Sequence, residues 1–464
     1  MTSLNKLSPS SAISYQELLD QEDVPVPAHL RETRSPDLGN MRLDVDNYIS
    51  PEFHRQEVEH VWKRTWQLAC REEDIPNVGD HLAYDVADLS LIVVRAAEHE
   101  IKAYFNSCLH RGRRLVTEPG CKSTFRCPYH AWTWNLDGNI KFVPCKTDFD
   151  YAGDDAFKLP EAKVGRWQGF VFVNPDPKAG PLMDFLQVLP EHFKDYDLDH
   201  CYKALHIQKN IDCNWKAALE AFMESYHVIA THPQLLTFMG DANAQYDILS
   251  DHISRSITVN AVNSPHIEPP PAQQVMEDTL RESGRVFNEG ELQVPEGMSA
   301  RKFLAQMNRE IFSREHGRDY SRATDSELLD AILYWVFPNI EIWAGYLANI
   351  VYRARPLGND PDRCIFEIMV LQRVPEGQDI PAGVPIHYLA DDERFSDAEE
   401  LGILGKVFDQ DLDNLPHVQQ GMKTAAQNGA GGLILGDYQE SRIKQLHRML
   451  EHYIGEGRNA AGSL

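Results

Sequence analysis

The stretch CLHRGRRLVTEPGCKSTFRCPYH, from Cys108 to His130, holds three cysteines, two histidines and five Lys/Arg within 23 residues. Cys108-x-His110 and Cys127-x-x-His130 each offer one thiolate and one imidazole. A chain that carries them has to bring two tight loops face to face around one centre. Gly112 and Pro128 suit such loops, and Trp132 and Trp134 follow the second one. The four donors suit a structural zinc ion or an iron–sulfur cluster. Cys121 has no histidine beside it and reads as a bystander.

The rest of the chain sets the scale. Its 464 residues exceed what one core usually serves, so two domains or one large elaborated domain are expected. Composition is that of an ordinary globular protein, with 42% hydrophobic and 25% charged residues. The net charge of −25 argues against broad binding to nucleic acid or to an anionic membrane surface. No uncharged apolar stretch reaches the roughly 18 residues of a membrane span. The opening MTSLNKLSPSSAISYQELLDQEDVPVP lacks the apolar core of a signal peptide. A cytoplasmic protein is expected, in which the eight cysteines serve as metal ligands or buried thiols rather than disulfides.

Texture divides the chain. Residues 1–65 read as a polar arm followed by a helix that starts at Ser50-Pro51. From 66 to 178 short runs such as DHLAYDV, LSLIVVRAA, IKAYFNS and GFVFVNP alternate with turn residues, as in a compact β unit. The Pro/Gly-rich VNPDPKAGP marks a boundary. Over 179–464, NWKAALEAFMESYHVI, DAEELGILGKVFDQDLDNLPHVQQGM and DYQESRIKQLHRMLEHYI predict helices. ILYWVFPNIEIWAG, NIVYRARPL and CIFEIMVLQRV predict strands. Residues 262–330, Pro-rich and then charged, read as a helical insertion or cover.

A second donor set lies in CNWKAALEAFMESYHVIATHPQ. His227 and His232 are five positions apart, and on an unbroken helix they diverge by about 140°. Sharing one metal requires the helix to end between them. Val228, Ile229 and Thr231, followed by Pro233, make that reasonable. Glu224, three residues before His227, sits on its face of a helix and within reach of its ring.

Two cysteines with two histidines are the ligand set of a Rieske [2Fe–2S] centre, and the spacing resembles the Rieske family. Respiratory Rieske proteins carry an extra cysteine in each loop. Arg113 and Pro128-Tyr129 stand in those places here, which points to the oxygenase branch. Asn214-Trp215-Lys216, then an acid, Tyr226-His227 and His232 resemble the Rieske non-haem iron oxygenase signature, in the large (alpha) subunit of an aromatic-ring-hydroxylating dioxygenase-type enzyme.

That resemblance implies an α+β fold: an antiparallel β Rieske [2Fe–2S] domain and a helix-grip (START-like) catalytic domain. It implies a cluster on Cys108, His110, Cys127 and His130, and a mononuclear Fe(II) on His227, His232 and a carboxylate from FDQDLDNLPHVQQGM. Asp411 is the expected carboxylate and Asp409 the alternative. It gives Glu224 the role of linking His227 to His130 of a neighbouring copy. Two departures stand out. Glu224 replaces the commoner Asp, and Ala221 stands where ring dioxygenases often have Asn.

The implied activity is O2-dependent oxidation of a hydrophobic, aromatic or polycyclic substrate. The alternatives are a monooxygenase or demethylase on a non-aromatic substrate and a pure electron carrier. Phe222, Met223, Leu235, Leu236, Phe238, Met239, Trp335, Phe337, Ile342 and Trp343 are candidate pocket or core residues, with no substrate contact assigned among them. No dinucleotide fingerprint follows a strand, so a reductase, through a ferredoxin or directly, is the expected donor. Arg111, Arg113, Arg114, Lys122 and Arg126 either offset the cluster's charge or dock that donor. A homotrimer, or an α3β3 assembly with a small subunit, is the implied oligomer.

Overall fold

The computed structural model describes residues 13–285, 287, 290–429 and 432–461. The start of the N-terminal arm and three positions of the 262–330 segment lie outside them. The chain divides into two compact units.

One unit is His54–Phe185, with Pro356–Asn359 and residues 453–461. Its strands are β1 (Gln67–Arg71), β2 (Asp80–Val86), β3 (Leu89–Ala97), β4 (Glu100–Phe105), β5 (Gly120–Cys121), β6 (Thr124–Arg126), β7 (Thr133–Asn135), β8 (Ile140–Phe142), β9 (Glu161–Trp167) and β10 (Phe170–Asn174). Seven form an antiparallel sheet in the order β1-β10-β9-β4-β3-β2-β5, and β6-β7-β8 form a second antiparallel sheet. The first donor loop follows β4. The second is the turn of the β6–β7 hairpin, so backbone pairing on both sides fixes where Cys127 and His130 can sit. Ile92, Val94, Tyr104, Phe125 and Trp134 pack with Cys108 and Cys127 in the core of this unit.

The other unit comprises residues 13–53, Leu186–Arg355 and Asp360–His452. Its strands are β11 (Cys201–Ile211), β12 (Met239–Ile248), β13 (Ile253–Asn260), β14 (Ala331–Val336), β15 (Ile340–Ala344), β16 (Asn349–Leu357), β17 (Asp360–Arg373) and β18 (His387–Leu389). They form one sheet in the order β12-β13-β14-β15-β16-β17-β11-β18, in which β18 joins β11 in parallel. Every residue of β14 is buried, as expected for a strand covered on both faces.

Alternation along the strands separates the two faces. Arg255 and Tyr334 point to one, where the N-terminal arm lies: Arg255 donates to the His29 and Glu32 carbonyls and pairs with Asp247. Ser254, Ser256 and Glu341 point to the other, where they meet Arg442. Its helices include α1 (Trp215–Glu220), α2 (Val228–Thr231), α3 (Ala272–Glu282), α4 (Ala300–His316), α5 (Asp325–Leu329) and α6 (Ile403–Ala425). In the 262–330 segment Ser299 caps α4, its hydroxyl accepting from Lys302 N, and Gly317 closes it in the left-handed region. The apolar faces of α3 and α4 bury Val228, Leu235, Leu236 and Phe238, the residues that surround His232 in sequence.

The single helix expected over NWKAALEAFMESYHVI is not formed. Asn214 caps α1, but α1 ends at Glu220, and 221–227 is a turn before α2. Phe222 N and Met223 N reach only the carbonyls three residues back. The Glu224 carboxylate then takes the N–H groups of Tyr226 and His227, the local competition that ends helices.

A buried polar cluster underlies the arm. His29 Nε2 lies 2.8 Å from the Tyr196 hydroxyl, and His192 Nδ1 lies 3.0 Å from that of Tyr334. Burial pushes His29 down to about 3, helped by His192 and Arg255, and pushes His192 down to about 4, helped by Arg255. Folding therefore binds fewer protons than the open chain below the ordinary value of 6.5. Stability is full above that pH and drains as pH falls towards 4. At pH 5 the loss is about 2 kcal/mol for each ring. Melting temperatures between pH 7 and 5 are expected to fall, and His29→Gln to flatten that slope; an unchanged slope in the variant contradicts the assignment.

Candidate metal centres

In the β unit the two donor loops are built alike. Cys108 N donates to Arg113 O and Gly112 N to Cys108 O, each at 2.8 Å. Cys127 N donates to Trp132 O at 2.8 Å and Ala131 N to Cys127 O at 2.9 Å. The fourth residue after each cysteine has positive φ, Gly112 at 74° and Ala131 at 64°. Glycine takes that geometry freely, whereas alanine tolerates it under the surrounding constraint.

Cys108 and Cys127 are buried, and the rings of His110 and His130 meet at 4.4 Å. Trp132 stacks on His110 at 5.1 Å and 6°. Nδ1 of both histidines is shielded from solvent and has no protein partner. Partial burial, His130 and Arg111 hold His110 below its ordinary pKa, which favours the neutral ring a metal requires. Burial and the neighbouring Cys127 raise Cys108, while the N–H groups of His110 and Arg111 pull the other way by pointing at its sulfur. Two orphaned ring nitrogens and two adjacent thiols fit a centre with two thiolate and two imidazole ligands.

The five basic residues fare differently. Arg114 is held by both oxygens of Asp85 at 2.9 Å. Arg111 donates to the Tyr129 hydroxyl and lies over its ring, and both are exposed. Cys121 sits on β5, exposed, with its sulfur toward Val78 O.

In the other unit His227, His232 and Asp411 offer ligand atoms that all lie within 4.8 Å of one another. Asp411 Oδ1 is 3.1 Å from His232 Nε2 and 3.7 Å from His227 Nε2. The far nitrogens are both taken: His227 Nδ1 lies 2.8 Å from Glu224 Oε1, and His232 Nδ1 2.8 Å from Gln410 Oε1. Carboxylate and amide oxygens only accept, so each Nδ1 carries a proton. Each Nε2 is left on the Asp411 side, with His232 Nε2 in hydrogen-bond range of Asp411 Oδ1, and could give its lone pair to a cation shared with that carboxylate. Burial opposes charge on His227, but the hydrogen bond and charge of Glu224, with Asp411, outweigh it and raise its pKa.

Glu224 reaches His227 from the turn, not from the shared helix face that its spacing predicts. Asp409 is occupied elsewhere: its oxygens accept from Phe395 N and Ser396 N, and Arg394 pairs with it. Gln410 was not singled out by the sequence reading. Its only signal is that it precedes Asp411, and Gln234 Nε2 fixes its amide by donating to Oε1 at 2.8 Å. Gln419 accepts from Asn214 N and so ties α6 to the start of α1.

Among the candidate pocket residues, Phe222 lines a small cavity beside Asp411 with Ile211, Ala218, Phe366, Phe395 and Phe408. Leu235, Leu236 and Phe238 belong instead to the core formed with α3 and α4.

Comparison with known proteins gives a consistent picture. The family described as ring hydroxylating alpha subunit (catalytic domain) matches residues 191–456, and the Rieske [2Fe–2S] domain matches 65–160. A glycine betaine monooxygenase oxygenase subunit of Chromohalobacter salexigens is 31% identical over 216 residues, 46% of this chain and 47% of the relative. The anthranilate 1,2-dioxygenase large subunit of Acinetobacter baylyi is 31% identical over 208 residues, 42% of this chain and 44% of the relative. The matched stretch thus spans less than half the length of these curated relatives. A quaternary ammonium Rieske monooxygenase superposes with a TM-score of 0.61 at 17% identity, covering 90% of this chain and 96% of that one. A naphthalene 1,2-dioxygenase from Rhodococcus sp. gives 0.60 at 21%, covering 89% and 94%.

The two acids of α6 can be separated by Fe(II) titration. Asp411→Asn and His232→Ala are expected to abolish tight binding at this centre. Asp409→Asn is expected to keep it while lowering the melting temperature, because one of two backbone N–H groups loses its acceptor and Arg394 loses its charge partner. The reverse order would move the carboxylate ligand to Asp409.

Proposed function

The chain belongs to the ring-hydroxylating alpha-subunit family, and on that premise we propose that it is the terminal oxygenase component of an O2-dependent Rieske non-haem iron enzyme. The observation that carries this reading is the convergence of His227, His232 and Asp411, whose ligand atoms all lie within 4.8 Å of one another. In this reading Cys108, His110, Cys127 and His130 hold the [2Fe–2S] cluster, and His227, His232 and Asp411 hold the mononuclear iron. When bound, the cluster supplies single electrons and the iron supplies open positions for O2.

The protein's own side chains set the conditions. Glu224 and Gln410 keep both ring protons on Nδ1, so neither imidazole turns its lone pair away. Phe222, Phe366, Phe395 and Phe408 line the cavity beside Asp411 and exclude water from that side. Tyr352 extends the aromatic wall, its ring 4.4 Å from that of Phe222. That cavity is only about 10 Å³ and holds no substrate as it stands, so it is the apolar character of these rings that favours a hydrophobic, aromatic or polycyclic substrate. They also suit an alkylammonium group through cation–π contact. The relatives named for glycine betaine favour that second reading, a monooxygenase or demethylase.

We further propose a division into an arm over 1–65, a Rieske domain over 66–178 and a catalytic domain over 179–464. Electrons come from a separate reductase, through a ferredoxin or directly, and pass between copies in a homotrimer or an α3β3 assembly. Glu224 is the link from His227 to His130 of a second copy. Tyr226, beside Glu224, is 57% exposed, and Tyr129, beside His130, is 55% exposed, which leaves both neighbourhoods open to another chain.

The test uses the metal-loaded protein, a surrogate reductase and 18O2, with aromatic and trimethylammonium substrates. Two labelled atoms in an aromatic product support the dioxygenase, and one labelled atom with loss of a methyl group supports the demethylase. Cluster turnover with no substrate oxidation would leave only electron transfer. Glu224→Gln is expected to load both metals and to slow O2-dependent reoxidation of the reduced cluster at least tenfold. Reoxidation at the wild-type rate would break the proposed link.

A further inference from the structure

The turn that carries Glu224 and His227 has no helix to stiffen it, so its shape must be imposed from outside. Three contacts do this, all from buried groups. Arg442 Nη1 donates to Met223 O at 3.0 Å, immediately before Glu224. Ser225 N, immediately after Glu224, donates to the Tyr246 hydroxyl at 2.9 Å. Ser225 Oγ lies 2.6 Å from Thr258 Oγ1 on β13. Glu224 is therefore held through the residues on both sides of it.

Arg442 is the centre of this arrangement. Its guanidinium is fully buried at the start of the C-terminal helix Ser441–Ala461. Nε donates to Ser254 Oγ at 3.1 Å, Nη1 to Ser256 Oγ at 2.8 Å and Nη2 to Glu341 Oε1 at 3.0 Å. The two serines on β13 and the glutamate on β15 fix the fork to the sheet, and its remaining reach goes to the turn. A flat group with five donors at set angles serves this task, whereas a lysine ammonium offers one mobile charge. The cost of burying the pair is considerable, since a buried ion pair is weak as a source of stability. Its position behind the donor turn gives it a different use.

We propose that Arg442 is a positioning residue for the metal centre, fixing the 221–227 turn so that Glu224 can orient His227 toward His232 and Asp411. It touches neither a ligand ring nor the cavity, and acts only through the Met223 carbonyl. The inference rests on the reading of His227 as an iron ligand.

The experiment measures Fe(II) affinity at the mononuclear centre and the electron paramagnetic resonance spectrum of its nitric oxide adduct. The protein is the full chain with an intact Rieske signal. Arg442→Lys is expected to weaken Fe(II) binding about tenfold, within the range found when a group orienting a metal-bound histidine is lost, and to broaden the adduct spectrum. Glu341→Gln is the conservative control. The amide oxygen can still accept from Arg442 Nη2 at this position, so the fork keeps its anchor, and affinity is expected to stay within about threefold of wild type. If Arg442→Lys does not fold, Ser254→Ala with Ser256→Ala loosens the fork without altering charge, and is expected to weaken binding three- to tenfold. Wild-type affinity and an unchanged adduct spectrum in a folded Arg442→Lys, or in the serine double variant where that one does not fold, would reduce the clamp to a packing feature and overturn the proposal. His227→Ala, run alongside, separates the two levels: if it too keeps wild-type affinity, the assignment of the centre has failed and the clamp falls with it.

Discussion

Two imidazole nitrogens and a carboxylate oxygen held against one another are the constraint on which the catalytic unit depends. Asp411 Oδ1 lies 3.1 Å from His232 Nε2 and 3.7 Å from His227 Nε2. They are kept there by acceptors on the far side of each ring and by the backbone that carries those acceptors. Glu224 and Gln410 set the ring protons, and α6 brings Asp411 from 179 residues away to His232. The local structure around 221–232 is best understood as whatever leaves both rings facing inward. Helix α1 stops early, a turn carries Glu224, and a four-residue helix separates the two histidines.

The β unit solves a similar problem with different means. Its two donor loops repeat one hydrogen-bond pattern, with a positive φ at the same place in each. The cysteines are buried in the core, and the histidines sit at its edge, His110 against Trp132 and Phe149 and His130 against Tyr129. This gradient from buried thiol to partly exposed imidazole suits a centre that must exchange electrons with something outside the unit. In this unit, strands that need no metal for their pairing hold two loops whose histidine Nδ1 atoms lack protein partners of their own.

Much of this was legible in the residues. DHLAYDV and LSLIVVRAA coincide with β2 and β3, because alternating apolar residues between turns have few other options. The spacing of His227 and His232 required a break in the helix, and the break is there, although it begins before Glu224 as well. What the sequence hid was competition at short range. The NWKAALEAF pattern is strongly helical, yet the helix ends at Glu220, and the Glu224 carboxylate takes two N–H groups of the turn that follows. Long-range partners were hidden too. Nothing in HVQQGMKT or DYQESRIK marks Gln419 as the acceptor for Asn214 N, or Arg442 as the support of Met223. Those roles exist only once the sheet has brought distant segments together. The aromatic wall was half visible: Phe222 was among the candidates, but Phe366, Phe395 and Phe408 come from three separate elements.

The most direct measurement is a metal and sulfide count on the purified protein, combined with Mössbauer spectra before and after chelator treatment. The account predicts about three irons and two acid-labile sulfides per chain. One high-spin ferrous iron should leave with the chelator while the paired irons and their sulfides remain. Stoichiometric zinc without sulfide, or two irons with none removable, would contradict it.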